Sequence, residues 1–518
     1  VTDKGRDAIL VRGVNWIGDA VMTLPAMRAL RRANPDSKIV LLVKPWVSPI
    51  FEKDPNIDEM IIYSDDHKGI RGRLRLAGEL RTYGFRRAVL FQNAIDAALI
   101  AFLAGIPERI GYSRDARRAL LTKAVPFDKY AGSLHHIRYY LNLLDKAGFA
   151  VGDSRPWIYL SLEERLGARE KLAGLRRPVV GLNPGASYGS AKRWHPARFA
   201  EVAKRVVDEL GGSVVVFGGP AETGIAEEIL EGACPGSLSE NAGSVETPRV
   251  MTMAGRTTLR ELVALISEVD VLVTNDSGPM HIGYAVGTPL VAVFGSTSPE
   301  LTGPVGYCDI VIRKEVDCAP CFERTCRKGE VQCMDLVTPA DVFDAVKRLK
   351  RSGKAVFFDR DGTLCRDAGY LSRMEDFEVI HDVESLNSLK RQGYLLIGIT
   401  NQSGIARGMM KEGFVKEVND IFVKKYGFDS FYYCPHHPDE KCSCRKPEPG
   451  LLVRAGHDFG INLRKSFVVG DKDLDMQLAR AVGAKGILVL TGEDNASPHA
   501  DFTVTNLKGA VDIIIDRA

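Results

Sequence analysis

The sequence predicts an α/β protein built from three successive units of parallel sheet wound with helices, and three observations carry that prediction. Short runs rich in Val, Ile, Leu and Phe alternate with runs of helical period along the 518-residue chain. The alternation restarts twice, at PVVGLNPGA (178–186) and at KAVFFD (354–359). The length suits about three domains at roughly 150 residues each. With 45% hydrophobic and 26% charged residues, every segment has enough apolar content for a core, which excludes a disordered chain and a small disulfide-stapled scaffold.

In chain order, ILVRG (9–13) reads as a buried strand, and VNWIGD leads into the helical run AVMTLPAMRALRRANP. The strand KIVLLVK, the strand RRAVLFQ (86–92) and an apolar helix near 94–105 continue the first unit. A polar stretch near 152–176 separates it from the second unit. There the strands PVVGLN, SVVVFGG, VLVTNDS and PLVAVFG alternate with helices from Pro196, over 259–268 and from Pro279. The helix TPADVFDAVKRLK (338–350) ends at RSGK, where the third unit opens without a low-complexity linker. Wound sheets bind ligands at the carboxyl ends of their strands. The loops holding Asp19, Ser187, Glu222 and Asp276 are therefore expected to converge on the cleft between the first two units.

The net charge of +3 gives no reason to expect nucleic acid. Residues 1–150, however, hold 24 Lys and Arg against 16 Asp and Glu, so an anionic partner is expected there. No stretch reaches about 18 uninterrupted apolar residues, and VTDKGRDAILVRG is charged where a signal peptide needs an apolar core. A cytoplasmic location is expected, with membrane contact at most peripheral, at the inner face. Ten cysteines in such a chain argue against disulfides, and seven fall in two clusters, 318–333 and 434–444, which points to metal.

The third unit carries the densest chemistry. Strand AVFFDRDGT puts Asp359 and Asp361 at its carboxyl end, LLIGIT ends at Thr400, CRKP supplies Lys446, and SFVVGD delivers Asp471, followed by Asp475. Carboxylates and a lysine around one point suit phosphoryl transfer: Mg²⁺ on Asp359, Asp361 and Asp471, and phosphoryl oxygens met by Lys446 and Thr400. Asp359 is the expected nucleophile, and Asp361 the acid that protonates the leaving oxygen and then deprotonates water. In CPHHPDEKCSCRKP, Cys434, His436, Cys442 and Cys444 form a closed set for structural Zn²⁺, with His437 as the competing nitrogen. Zinc there would fix the loop that aims Arg445 and Lys446.

The order DxDGT, TNQ, Lys, GDxxxD over 354–518 resembles the haloacid dehalogenase-like phosphohydrolases. The zinc loop with CRKP, and NQSGIARG (401–408), resemble in particular the D-glycero-D-manno-heptose 1,7-bisphosphate phosphatases and the related histidinol-phosphate phosphatases. That resemblance implies substrate contacts from Asn401, Ser403 and Arg445, with Lys472 supporting the site.

The first two units contain neither GxGxxG nor GxxxxGK[ST], so a dinucleotide fingerprint and a P-loop are absent. NPGASYGSAKRW (183–194) offers Ser187 and Lys192, and TNDSGPMH (274–281) offers Asp276, Ser277, Gly278 and His281 where a helix begins, a place suited to a pyrophosphate. An N-cap is the alternative use for Ser277. With WIGDAVMTLP, VFGGPAE and MAGRTTLRELVALI, these stretches resemble the ADP-heptose:lipopolysaccharide heptosyltransferases over about 9–348. The resemblance implies a GT-B pair of Rossmann-like domains: 1–170 for the acceptor, 171–350 for ADP-heptose, and 354–518 for the phosphatase. It implies Asp19 as general base for inverting transfer, Lys192 on the diphosphate, Glu222 on the ribose, Asp276 on heptose hydroxyls, and Ser277, Gly278 and His281 at the phosphates. The implied acceptor, heptosyl-Kdo2-lipid A, is polyanionic, and Arg109, Arg114, Arg117 and Arg118 are its expected contacts. Cys318, Cys321, Cys326 and Cys333 are a possible second metal set. Two alternatives stand beside this bifunctional reading: a histidinol-phosphate phosphatase at the C-terminus, or a non-catalytic ADP-sugar-binding scaffold at the N-terminus.

Overall fold

Each restart of the sequence rhythm produces a six-stranded parallel sheet, and all three sheets share one strand order among the described residues. The computed structural model describes residues 7–152, 154–234, 249–306, 308–350, 353–440, 442 and 444–517. The chain divides into two compact units, 1–350 and 351–518.

The first unit holds two sheets. One contains β1 (Ala8–Arg12), β2 (Lys38–Val43), β3 (Glu59–Ile62), β4 (Arg87–Leu90), β5 (Glu108–Tyr112) and β6 (Lys123–Val125), in the order β3-β2-β1-β4-β5-β6. The other contains β7 (Val179–Asn183), β8 (Ser213–Val216), β9 (Val250–Thr252), β10 (Val271–Asn275), β11 (Leu290–Phe294) and β12 (Asp309–Arg313), in the order β9-β8-β7-β10-β11-β12. Every residue of β1, β7, β10 and β11 is buried, because helices cover both faces of a parallel sheet and leave no polar side to alternate. In the second unit β13 (Lys354–Phe358), β14 (Tyr394–Asn401), β15 (Ser430–Cys434), β16 (Phe467–Gly470), β17 (Lys485–Val489) and β18 (Phe502–Val504) repeat the pattern as β15-β14-β13-β16-β17-β18. Val356 of β13 pairs in register with Leu396 and Phe467, which brings the carboxyl ends of β13, β14 and β16 side by side.

The polar stretch near 152–176 contains a helix, Leu162–Lys171, that its periodicity does not announce. Charged on most of its surface, it is secured by local and ionic contacts rather than by an apolar stripe. Ser161 Oγ accepts from the Glu164 amide (3.2 Å) and Glu164 Oε2 accepts from the Ser161 amide (2.7 Å), a capping box. Arg169 pairs with Glu268 (2.9 Å) and Arg260 with Glu164, docking it on helix Leu259–Glu268 of the second sheet. Among the described residues no helix is long and apolar enough to cross a membrane.

Candidate active sites

In the first unit, Asp19 stands in the first turn of helix Ile17–Ala33, just beyond the carboxyl end of β1, where the helix dipole favours an anion. Its Oδ1 lies 3.5 Å from His136 Nδ1, a neighbour the sequence reading did not identify. This turn meets the second sheet closely. A Cβ on Gly18 would come 2.7 Å from the His281 ring, and one on Gly278 would come 3.1 Å from Ile17. The starts of helices Ile17–Ala33 and Gly278–Ala285 therefore touch through their glycines. His281 is buried, with Nδ1 2.8 Å from the Tyr284 hydroxyl, and burial holds its pKa down at about 4, so its imidazole is neutral at pH 7.

Ser277 occupies the N-cap position of that second helix without using its side chain as a cap. Its hydroxyl instead meets Asn183 Nδ2 and Thr274 Oγ1, both at 3.3 Å, so it does not satisfy the first-turn amides. Lys192 Nζ donates to Asp276 Oδ2 at 2.6 Å, and Thr297 Oγ1 donates to the same oxygen at 2.6 Å. The residues expected at the diphosphate and at the adjoining heptose thus form one ion pair. Glu222 caps its own turn, accepting from the Gly219 amide (2.8 Å), and a Cβ on Gly185 would fall 1.8 Å from its Oε1. Ser187 is exposed on the same loop.

That loop is held from far along the chain. Tyr188 donates its hydroxyl to the Phe322 carbonyl (2.8 Å), and the Ala191 amide donates to the Arg324 carbonyl (3.0 Å). The Trp194 indole donates to the Val337 carbonyl (3.0 Å). The cysteine segment 318–333 is therefore a strap over the loop. Burial, and then the nearby Cys318 and Cys321, push the Cys333 thiol pKa up, yet among the described residues no three of Cys318, Cys321, Cys326 and Cys333 place their ligand atoms within 4.8 Å of one another. Cys333 is buried against Gly295, Cys321 is exposed, and Cys326 donates to the Glu330 carbonyl. The possible second metal set is thus a group of neighbouring thiols that are not drawn to ligand distance.

The arginine cluster is corrected as well. Arg117 is fully buried and donates to the carbonyls of Tyr112 (2.9 Å) and Gln92 and to Asn93 Oδ1 (3.0 Å). Arg109 donates to the Leu120 and Ile106 carbonyls at 2.6 and 2.5 Å. Both guanidiniums serve the fold, which leaves Arg114 and Arg118 exposed on the same turn.

In the second unit the strand ends assemble a tight centre. Asp359, Asp471 and Asp475 place carboxylate oxygens within 4.8 Å of one another, all buried. Lys446 Nζ lies 2.7 Å from Asp359 Oδ1 and 2.7 Å from Asp475 Oδ1. The Arg360 amide also donates to Asp359 Oδ1, at 2.7 Å. Gly362, at φ +88°, lets the chain turn beside Asp471, whose Oδ2 would lie 2.4 Å from a Cβ there. Burial raises the Asp359 pKa against the pull of Lys446, and burial followed by Asp475 raises that of Asp471 to about 6. Three crowded carboxylates with one lysine are an incompletely neutralised anion, the donor set of a hard divalent cation.

Asp361 is not in that set. Arg360 grips it with two donors (3.1 and 3.0 Å), Gln402 Nε2 donates to it at 2.7 Å and Thr400 Oγ1 at 3.3 Å. The carboxylate that stands with Asp359 and Asp471 is that of Asp475. Arg360 and Gln402, both buried, are residues the sequence reading missed; each lies next to a motif residue, but nothing in the spacing shows where its side chain turns. Asn401 exchanges bonds with the Lys446 backbone, accepting at 3.0 Å and donating at 3.4 Å, so it positions the lysine. Ser403 is buried nearby, Arg445 carries a buried Nη1 without a hydrogen-bond partner, and Lys472 pairs with Asp367 (3.2 Å) and Glu493 (3.4 Å).

Cys434, His436, Cys442 and Cys444 also converge within 4.8 Å. The three sulfurs stand 3.4–3.5 Å apart, and His436 Nδ1 is 3.1 Å from Cys444 Sγ. About 3.8 Å is the edge of a tetrahedron with 2.3 Å zinc–sulfur bonds. His437 is outside, with Nδ1 3.3 Å from Asp439, so His436 is the nitrogen that stands with the three sulfurs.

The sheets and sites define two classes of enzyme in one chain, a two-sheet glycosyltransferase and a phosphohydrolase. The model of glycosyltransferase family 9 (heptosyltransferase) matches residues 73–332, and a HAD-hydrolase-like model matches 443–510. The lipopolysaccharide heptosyltransferase 2 of Salmonella typhimurium is 32% identical over 350 residues, covering 66% of this chain and 98% of that relative. The D-glycero-beta-D-manno-heptose-1,7-bisphosphate 7-phosphatase of Helicobacter pylori is 40% identical over 170 residues, 32% of this chain and 98% of that relative. The solved structure of the E. coli ADP-heptose lps heptosyltransferase II superposes with a TM-score of 0.56 at 30% identity, over 66% of this chain and 98% of that one. The chain belongs to glycosyltransferase family 9, the heptosyltransferases, and its C-terminal part to the HAD-like heptose bisphosphate phosphatases; it is a bifunctional enzyme with a GT-B pair ahead of the phosphatase unit.

Proposed function

We propose that the chain serves lipopolysaccharide core biosynthesis twice, transferring heptose from ADP-heptose to the heptosyl-Kdo2-lipid A inner core and removing the C7 phosphate of D-glycero-D-manno-heptose 1,7-bisphosphate. The observation that carries the phosphatase is the buried Asp359–Lys446–Asp475 array, since its charges have no use in packing alone. Lys446 and the Arg360 amide both hold Asp359 Oδ1, leaving Oδ2 to attack phosphorus. Asp361, fixed by Arg360 and Gln402, gives its proton to the leaving sugar oxygen and takes one from the water that releases phosphate. Asp359, Asp471 and Asp475 would hold Mg²⁺, which when bound neutralises phosphoryl and carboxylate charge. The Cys434, His436, Cys442, Cys444 set would hold structural Zn²⁺ and stiffen the approach to Arg445 and Lys446.

In the transferase, residues 1–170 would bind acceptor and 171–350 donor, with 354–518 as the phosphatase domain. Asp19, braced by His136, deprotonates the acceptor hydroxyl for inverting attack on the anomeric carbon. Lys192, Ser277, Gly278 and neutral His281 receive the diphosphate, Glu222 and Ser187 the nucleoside side, and Asp276 the heptose hydroxyls. A soluble chain at the inner face of the membrane, touching it peripherally, fits such an acceptor.

The deciding experiment measures phosphate release with Mg²⁺ from the heptose bisphosphate and from histidinol phosphate, with Asp359→Asn as the blank. Strong preference for the heptose bisphosphate is expected; preference for histidinol phosphate overturns the phosphatase reading.

A further inference from the structure

Buried cations in proteins ordinarily meet a carboxylate, because an unpaired charge out of water costs several kcal/mol. At the carboxyl ends of β1 and β2 two cations are buried without one. Arg12, the last residue of β1, is 2% exposed. Its Nη1 donates to the backbone carbonyls of Gly13 (2.7 Å) and Leu42 (3.2 Å), Nη2 reaches Asn15 Oδ1 at 3.4 Å, and buried Nε has no hydrogen-bond partner. Lys44, one residue past β2, is 8% exposed, with Nζ 3.8 Å from the Tyr63 ring centre and 5.5 Å from that of Trp46. Among the described residues neither cation forms an ion pair. The acids in range are engaged elsewhere: Asp96 with Arg73 and the Tyr63 hydroxyl (3.3 Å), Asp65 with Lys68 (2.7 Å).

This pair of charges adjoins the transfer chemistry. Trp46, 52% exposed, donates its indole N–H to the Asn15 carbonyl (2.9 Å), and Asn15 begins the turn that ends at Asp19. Trp16 of the same turn is 56% exposed. The exposed Trp46 ring stands beside the Lys44 ammonium. The Arg12 guanidinium is held by neutral groups only, the Gly13 and Leu42 carbonyls, Asn15 and the Tyr63 ring at 5.1 Å, which makes a surface suited to a sugar that bears an acid.

We propose that Arg12 and Lys44, flanked by Trp46, form a subsite for an anionic substituent, a phosphate monoester or a carboxylate, on the sugar that accepts heptose. This rests on the transferase reading of the first unit, and it moves the acceptor contact from the arginines of 109–118 to the strand ends beside Asp19. Lys44 acts as a specificity residue, meeting a part of the acceptor that does not react.

The test titrates the full chain with inorganic phosphate, with a free 2-keto sugar acid and with a neutral hexose, reading tryptophan fluorescence, and with Trp46→Phe to assign the signal. Saturable binding of at least one anion, tenfold or more weaker in Lys44→Met, restored in part by Lys44→Arg and absent for the hexose, is expected; which anion binds identifies the acid group. Anion binding equal in Lys44→Met and the parent chain, or no anion binding, overturns the subsite. The same variants are then assayed for transfer to acceptors with intact and with esterified or dephosphorylated acids. The Lys44→Met defect should be a tenfold or greater rise in acceptor KM, confined to the acidic acceptor and not seen in donor KM. An equal rise with the neutralised acceptor overturns the subsite's role in acceptor choice. Lys44-dependent anion binding in a parent chain that transfers no heptose sinks the transferase reading and leaves the anion site standing.

Discussion

The Lys446 ammonium and the Asp359 carboxylate stand 2.7 Å apart with both residues more than nine-tenths buried. Removing one member of such a pair leaves the other charged and unsolvated, at a cost of about 3–5 kcal/mol. Lys446→Met should therefore lower phosphate release by at least about 10²-fold and also lower the unfolding temperature of the second unit. Release near the parent rate would remove Lys446 from the site.

Asp19 contributes to one activity only. Asp19→Asn keeps the shape of the turn but removes the proton acceptor, so transfer should fall by about 10²–10⁴-fold while phosphate release stays unchanged. Transfer at the parent rate shows that another group is the base.

The glycine facing Glu222 gives a steric test. Gly185→Ala places a Cβ 1.8 Å from the present Glu222 Oε1, so the carboxylate must move. The KM for ADP-heptose should rise about tenfold or more, the effect of about 1.4 kcal/mol of lost binding, while Asp359-dependent phosphate release persists. An unchanged donor KM separates Glu222 from the donor.

Metal content checks the thiol cluster. Cys442→Ser should lower zinc measured in the purified chain toward zero per molecule and weaken phosphate release through the loop carrying Lys446. Zinc content equal to that of the parent would falsify the ligand assignment.

His281 predicts a pH dependence of stability. Its folded pKa, about 4, lies below the ordinary 6.5, chiefly because it is buried. Between these values the unfolded chain binds a proton that the folded chain does not. The contribution is therefore complete above pH 6.5 and is lost as pH falls toward 4, amounting to about 3 kcal/mol over that window. His281→Gln should flatten the fall in denaturation midpoint of the first unit between pH 7 and pH 4.5; an identical pH profile in the variant rejects the assignment.

The backbone of this molecule is legible in its sequence because strand runs and turn glycines act locally. The strand ends at Asp276, Asp359, Thr400 and Asp471, and the strand-to-helix turn that carries Asp19, follow from the alternation of strand and helix periods. Side-chain commitments are not local. Asp361 reads as a magnesium ligand and Asp475 only as a further acid after Asp471, but Arg360 and Gln402 draw the first aside while Lys446 draws the second in. Arg117 reads as one of a basic surface group, yet the open carbonyls of Gln92 and Tyr112 claim it. Helix Leu162–Lys171 has no apolar stripe to detect, although Ser161 and Glu164 carry the spacing of its cap.

The strap over the Lys192 loop also fixes how little of the chain can work as a transferase. The last strand of the second sheet ends at Arg313, but the carbonyls that receive Tyr188, Ala191 and Trp194 come from Phe322, Arg324 and Val337. A fragment cut at the edge of the sheet would retain every residue assigned to the donor and lose the backbone that holds their loop. A fragment that keeps this loop held must therefore reach at least Val337, and Val342, Phe343 and Val346 of helix Pro339–Lys350 belong to the same core as the sheet it serves.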